Sequence, residues 1–101
     1  MYNKDVKSEW DEEKSRANQS KHGVDFDTAR AMWNDSNRVE VQISYPFEDR
    51  SILIGKIANK LWTAIFTHRG NAIRIISVRR ARKKEPRLYE KQEDSSEHGR
   101  I

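Results

Sequence analysis

The fold of this chain is set by the stretch from Ser51 to Arg80, which reads SILIGKIANKLWTAIFTHRGNAIRIISVRR. Its runs of β-branched and aromatic residues are typical of strands. Two of these runs, Ser51–Ile57 and Leu61–Thr67, are separated only by Ala58-Asn59-Lys60. Because so short a connection can only reverse the chain, the pattern predicts a β-hairpin.

Two more strands are predicted around this hairpin. The most apolar run, Ala72–Val78, follows a turn signal at His68-Arg69-Gly70-Asn71 and predicts a central strand. Before the hairpin, Val39, Val41 and Ile43 alternate with polar residues, as they do in a half-buried strand. We therefore expect a sheet of about four antiparallel strands.

Helices are predicted before and after the sheet. The segment from Asp11 to His22 is rich in helix formers and ends at Gly23, a residue that favours a left-handed cap. Asp25 is a good N-cap for a second helix that runs to about Trp33. A last helix is predicted from about Lys83 to Gln92. The predicted class is α+β, with one domain over residues 1–92 and a disordered tail at residues 93–101.

The positive charge of the chain is concentrated near its end. The formal net charge is +4, yet the segment from Arg79 to Lys91 alone holds seven basic and two acidic residues. Such a patch suits a polyanion such as nucleic acid. The alternative is a solvated helix face that only keeps the chain in solution.

Several classes of protein are disfavoured by the sequence. There is no cysteine, so disulfides and zinc–thiolate sites are excluded. Phosphate-loop, dinucleotide-binding and serine or cysteine nucleophile motifs do not occur, and the acidic residues show no metal-ligand spacing with histidine. The charged segment from Met1 to Trp10 does not resemble a signal peptide, and no apolar run is long enough to span a membrane. We expect a cytoplasmic protein without metal or cofactor.

The candidate catalytic groups are cationic. Cleavage of an RNA phosphodiester requires a base for the 2′-hydroxyl, cations for the charge on phosphorus, and an acid for the departing oxygen. Arg74, Arg79 and Arg80 lie in or after the last predicted strand and could supply the cations. By strict alternation at most two of them share a face, unless the strand bulges near Val78. Arg74 could instead form an ion pair within the fold, and His68 is the histidine best placed for proton transfer.

The sequence also resembles the BrnT family in three blocks. The opening block is Glu9-Trp10-Asp11, Lys14, Asn18, Lys21-His22-Gly23-Val24, Phe26 and Ala29. The middle one is Arg50 with Gly55, and the closing one is Thr67, Arg69-Gly70, Arg74-Ile75-Ile76-Ser77, Arg79-Arg80-Ala81, Glu85 and Tyr89. Arg82 departs from the pattern, because the family often has threonine there, which would complete a capping box with Glu85.

This resemblance implies a RelE-like ribonuclease fold and the toxin half of a type II toxin–antitoxin pair. A BrnA-like antitoxin would neutralise the toxin and carry the DNA contacts of the complex, while the toxin cleaves RNA and halts translation. The lack of a metal-ligand cluster beside an arginine-rich strand end predicts that cleavage needs no metal. Residues and resemblance together nominate as catalytic Arg50, His68, Arg74, Arg79 and Arg80. The residues nominated for RNA binding are Arg69, Arg82, Lys83 and Lys84.

Two other functions stay open from the sequence. The chain could be a nucleic-acid-binding module without catalytic activity, which uses the basic segment on phosphate groups. It could also present that segment to an acidic or amphipathic peptide. Fragments of RNA from incubation with purified protein would distinguish cleavage from simple binding.

Overall fold

The computed structural model describes residues 7–43 and 49–90, which form a five-stranded sheet with helices packed on it. The strands are β1 (Lys7–Glu9), β2 (Val39–Ile43), β3 (Arg50–Ile57), β4 (Lys60–Arg69) and β5 (Ala72–Arg80). They are ordered β1-β5-β4-β3-β2 across the sheet. β1 is parallel to β5, and the remaining neighbours are antiparallel. The predicted tail at residues 93–101 lies outside the described residues.

The predicted sheet of about four antiparallel strands is wrong, because β1 adds a fifth strand and makes the sheet mixed. β1 has the sequence Lys-Ser-Glu and no buried side chain. Its place in the sheet comes from backbone pairing with the edge of β5, where Lys7 is opposite Ala72 and Glu9 is opposite Arg74. Backbone hydrogen bonds leave no trace in the pattern of side chains, so the sequence did not indicate this strand.

The prediction of two full N-terminal helices is also wrong. The first helix, α1 (Glu12–His22), is present, but α2 is a single turn (Phe26–Ala29) that continues as a 3₁₀ helix (Arg30–Asn34). The buried side chains in this segment include Phe26, Ala29 and Met32, which recur every three residues. Together with Trp33, which is buried beside Met32 in the 3₁₀ helix, these side chains face the core.

Local capping explains the limits of α1. The Asp11 carboxylate accepts a hydrogen bond from the Glu13 backbone N–H at 2.9 Å, and Gly23 ends the helix with φ of 88°. α1 has almost no apolar residues, and polar contacts attach it to the sheet instead. Asn18 Nδ2 donates to the Val78 carbonyl at 2.9 Å, and Asn18 Oδ1 accepts from the Val78 N–H at 3.1 Å.

The two faces of the sheet differ in what covers them. On the face that we call the helix face, α1, α2 and the 3₁₀ helix enclose the apolar core, whose sheet residues include Leu53, Ala64, Phe66, Ile75 and Val78. On the opposite face, a helix over residues 85–90, α3, packs at one end of the strands. Its Tyr89 hydroxyl donates to Asp35 at 2.8 Å, and Lys56 Nζ lies 5.6 Å from the Tyr89 ring centroid. The other end of this second face carries the candidate site.

Candidate functional site

A straight row of residues crosses the sheet on the face opposite the core. Arg50 of β3 is paired with Thr67 of β4, and Thr67 is paired with Arg74 of β5. Directly paired residues on neighbouring strands point to the same face, so the two arginines flank one threonine. Two strand spacings put their Cα atoms about 10 Å apart.

This row forms the floor of a cleft of about 240 Å³, which we call the cationic cleft. Seven residues line it: Lys14, Asp49, Arg50, Thr67, Arg69, Arg74 and Ile76. Four of them are cations, and they come from α1, β3, β4 and β5. Such a concentration of positive charge in a concave surface favours a phosphate group, because guanidinium groups bind phosphate oxygens with two parallel hydrogen bonds.

A carboxylate lies near each arginine of the row, at hydrogen-bond distance from Arg74 and farther from Arg50. Arg74 Nη1 donates to Glu9 Oε1 at 3.3 Å, and Glu9 is paired with Arg74 across β1 and β5. Arg50 Nε lies 3.9 Å from Asp49 Oδ1. The sequence allowed Arg74 either a place in a cleft or an ion pair, and the structure gives it both.

A bulge in β5 determines which arginines share a face. Ile65 is paired with Ser77 and Phe66 with Ile75, so Ile76 is an extra residue without a partner in the register. The bulge resets the alternation of side chains. Arg74 and Arg79 therefore lie on the same face, although they are five positions apart, and Ile76 lines the cationic cleft.

Arg79 is nevertheless outside the cleft, where it forms an ion pair. Its Nη1 and Nη2 atoms donate to the two oxygens of Glu85 at 2.8 and 2.9 Å, and both side chains are largely buried. Glu85 also accepts from Thr63 Oγ1 at 2.8 Å and from the Arg82 N–H at 2.7 Å. The second of these contacts is half of a capping box, retained although Arg82 supplies no hydroxyl.

The contacts around Glu85 stabilise its charged form. The hydrogen bonds from Arg79 are the largest effect and, with those from the Arg82 N–H and Thr63, they lower the pKa of Glu85 to about 2 despite its burial. The Arg79–Glu85 pair thus connects β5 to the start of α3. Arg79 therefore contributes to the fold through its ion pair with Glu85.

The remaining nominated cations lie outside the cationic cleft. Arg80 is on the helix face, where its guanidinium carbon lies 5.5 Å from the Trp62 ring centroid and its Nε donates to the Leu61 carbonyl at 3.3 Å. The segment just before α3 carries three exposed cations, Arg82, Lys83 and Lys84. Counting the rise per residue of β5, Arg80 lies about 20 Å along the strand from Arg74 of the cleft.

His68 also lies away from the cleft. It is the neighbour of Thr67 on β4, so its side chain points to the helix face. There its Nε2 lies 2.7 Å from Glu40 Oε2, and its ring contacts Phe66 with centroids 5.3 Å apart. The structure therefore separates His68 from the arginines with which the sequence grouped it.

Besides the apolar Ile76, the cleft contains three polar residues to which the sequence assigned no role. Lys14 and Thr67 belong to the blocks that resemble BrnT, and the β3–β4 register could have singled out Thr67 opposite Arg50. Asp49 gave no signal, because it lies outside every periodic run.

Within residues 7–43 and 49–90, no three side chains of the metal-ligating types are grouped closely enough to bind an ion. In the same residues, no helix is long and apolar enough to cross a bilayer.

Comparison with protein families gives the class of the protein. Residues 10–85 match the ribonuclease toxins, BrnT, of type II toxin–antitoxin systems. The match covers α1, the whole of β2 to β5 and the Arg79–Glu85 pair. The chain belongs to the BrnT family. Membership implies an RNA target and an antitoxin partner. No curated protein matches the chain.

Proposed function

We propose that this toxin is a metal-independent endoribonuclease that cleaves RNA in the cationic cleft and thereby inhibits translation. The proposal depends on the row Arg50–Thr67–Arg74, in which Thr67 has one arginine on each side. Arg69 and Lys14 add two more cations to the same cleft. A phosphodiester seated over Thr67 is within reach of all four.

The chemistry follows from the charge that develops on phosphorus. When the ribose 2′-oxygen attacks, the phosphorane gains negative charge, and fixed cations stabilise it more than they stabilise the ground state. Arginine is suited to this role because its guanidinium stays protonated and matches two phosphate oxygens at once. Arg50 and Arg74 bind the reacting phosphate in this proposal, and Arg69 attracts the RNA to the cleft. Arg80, Arg82, Lys83 and Lys84 bind RNA beyond the cleft.

The partner in this proposal is a BrnA-like antitoxin. An open cationic cleft binds RNA unless it is masked, and complementary charge speeds and orients docking. We expect the antitoxin to cover the cleft with acidic side chains and to make the DNA contacts of the complex. The toxin acts in the cytoplasm, where its RNA target and translation are found.

The test uses purified wild-type protein, defined RNA and EDTA. Fragments with 2′,3′-cyclic phosphate and 5′-hydroxyl ends support the proposal, since a 2′-oxygen nucleophile leaves these products. Arg74→Ala should slow cleavage about 10²–10³-fold. Arg30→Ala should cleave at the wild-type rate, because Arg30 is exposed, pairs with Asp27 and does not line the cleft.

The exposed cations before α3 favour a second candidate function, that of a nucleic-acid-binding module without catalysis. RNA that is retarded on a gel but stays intact at every protein concentration would support this alternative. Cleavage that requires added magnesium would contradict the metal-independent mechanism. A cell-free translation reaction with the same protein tests the expected inhibition.

A further inference from the structure

Asp49 is the single carboxylate among the seven described residues that line the cationic cleft. It precedes β3 directly and is therefore the neighbour of Arg50 in the chain. We infer that Asp49 is the general base that takes the proton from the ribose 2′-hydroxyl. This inference rests on the proposed function of the cleft.

The carboxylate of Asp49 is available to a substrate. Its Oδ1 lies 3.9 Å from Arg50 Nε, which is too long for a hydrogen bond, and its side chain is 76% exposed. The carboxylates of Glu9 and Glu85, in contrast, accept hydrogen bonds from Arg74 and Arg79. Asp49 is thus an acceptor at the mouth of the cleft, beside an arginine that binds the phosphate.

The other polar groups of the cleft are unsuited to be the base. A guanidinium keeps its protons, and an ammonium group is a donor without an acceptor site. The Thr67 hydroxyl is nearly buried and is a weak base. His68, the histidine favoured by the sequence, points to the opposite face and contacts Glu40.

The reaction balances with groups that line the cleft. Asp49 accepts the 2′-hydroxyl proton, the 2′-oxygen forms a bond to phosphorus, and the bond from phosphorus to the 5′-oxygen breaks. The 5′-oxygen leaves with a proton from the Lys14 ammonium group. The products are a 2′,3′-cyclic phosphate and a 5′-hydroxyl, and solvent restores both protonation states. No metal or other reactant is consumed.

The experiment compares Asp49→Ala and Asp49→Asn with Asp27→Asn, in single-turnover cleavage of a defined RNA. Asp27 is a matched control, since its side chain is 71% exposed and its neighbour in an ion pair is Arg30, away from the cleft. Loss of a general base should slow cleavage by about 10²–10⁴-fold. Removal of an anion from the cleft should leave RNA binding as tight as in the wild type, or tighter. The control should cleave at the wild-type rate.

Added formate distinguishes a base from a structural residue. It can replace a lost base and raise the cleavage rate, but it cannot repair a structural defect. In Asp49→Ala the place of the exposed carboxylate is open to solvent, so added formate should restore part of the rate, whereas in Asp49→Asn the amide still occupies that place and formate should have no effect. An Asp49→Ala protein with the wild-type rate overturns the inference. So does a folded, inactive Asp49→Ala protein whose rate formate leaves unchanged. If Arg74→Ala is inactive while Asp49→Ala is fully active, the proposed function stands and this inference alone fails. Wild-type protein that leaves RNA intact overturns both.

Discussion

Arg50 and Arg74 lie on the two strands that flank β4, and both are paired with the same residue, Thr67. Arg74 donates a hydrogen bond to Glu9 at 3.3 Å, whereas Arg50 Nε lies 3.9 Å from Asp49 Oδ1, too far for a hydrogen bond. Both arginines line the cationic cleft. In the proposed function, the phosphodiester lies between them.

Replacement of Arg74 by alanine should reduce RNA cleavage about 10²–10³-fold, the usual loss when one preorganised charge partner of a transition state is removed. Stability should fall by less than about 1 kcal/mol, because the Arg74–Glu9 pair is partly exposed. Single-turnover cleavage and thermal unfolding measure the two effects. A melting temperature that falls with the cleavage rate would assign Arg74 to the fold instead.

Replacement of Arg79 by alanine should mainly reduce stability. The substitution removes both hydrogen bonds that Arg79 donates to the largely buried Glu85, which should lower the free energy of unfolding by about 2–3 kcal/mol. In a domain of this size that corresponds to a fall in melting temperature of roughly 10–20 °C. Arg82→Ala is the matched control, because Glu85 contacts only the backbone N–H of Arg82. Equal melting temperatures for the two variants would contradict the structural role of Arg79.

The Glu85 carboxyl should make stability depend on pH in the acid range. Its pKa is lowered from 4.5 to about 2 in the folded protein, chiefly by Arg79. Glu85 therefore contributes stability that is fully present above its unfolded pKa and is lost as the pH falls from about 4.5 through about 2. The free energy of unfolding of the wild type should approach that of Glu85→Gln over this range. A constant difference between the two proteins from pH 6 to pH 2 would refute the assignment.

RNA that lacks the nucleophile should resist the toxin. A substrate with 2′-deoxyribose on the 5′ side of the scissile bond should bind as tightly as RNA, because the phosphates are unchanged, but it should not be cleaved. The unmodified substrate should be cleaved equally well with and without EDTA. Gel electrophoresis with end-labelled substrates measures both, and cleavage at the 2′-deoxy position would exclude attack by the 2′-oxygen.

The exposed lysines before α3 should affect binding and leave the chemical step intact. Replacement of Lys83 and Lys84 by alanine should weaken RNA binding and make it less sensitive to salt, by about 0.7 in the logarithmic slope for each lost phosphate contact. The cleavage rate at saturating RNA should stay at the wild-type value. Arg16 and Lys21, exposed on α1, provide a control double variant with the same loss of charge. If the double variant bound RNA with an unchanged dependence on salt, Lys83 and Lys84 would not contact the RNA phosphates.

The parts of the fold that the sequence predicted depend on local chemistry. Alternation of apolar residues indicated β2, and runs of β-branched, aromatic and apolar residues indicated β3 to β5. The helix formers before Gly23, whose φ is 88°, indicated α1. β1 was missed because its pairing uses the backbone alone. The candidate catalytic site was predicted as four arginines and His68, without their arrangement in space. Which of them meet depends on the strand register and on the bulge at Ile76, and neither has a signature in the order of residues.

Arg79 illustrates the same limit. The sequence grouped it with Arg80 as a catalytic pair, whereas its guanidinium contacts Glu85, six positions later. That contact needs the chain to turn after β5 so that the start of α3 comes back over Thr63. Composition and charge could identify a basic segment, but they could not separate a cation used by the fold from one that faces a cleft.

The unpaired Ile76 acts as a one-residue spacer between two parts of β5 that each alternate regularly. A deletion of Ile76 would remove the bulge and leave the other residues of β5 on their present faces, since Ile73 to Arg80 would then alternate without interruption. An extra residue in β4 between Ile65 and Phe66 would instead give Ile76 a partner. If the later part of β5 kept its faces, Ile75 would then turn out of the core and Arg74 would turn into it. Loss of Ile76 should therefore be tolerated more readily than the gain of one residue opposite it.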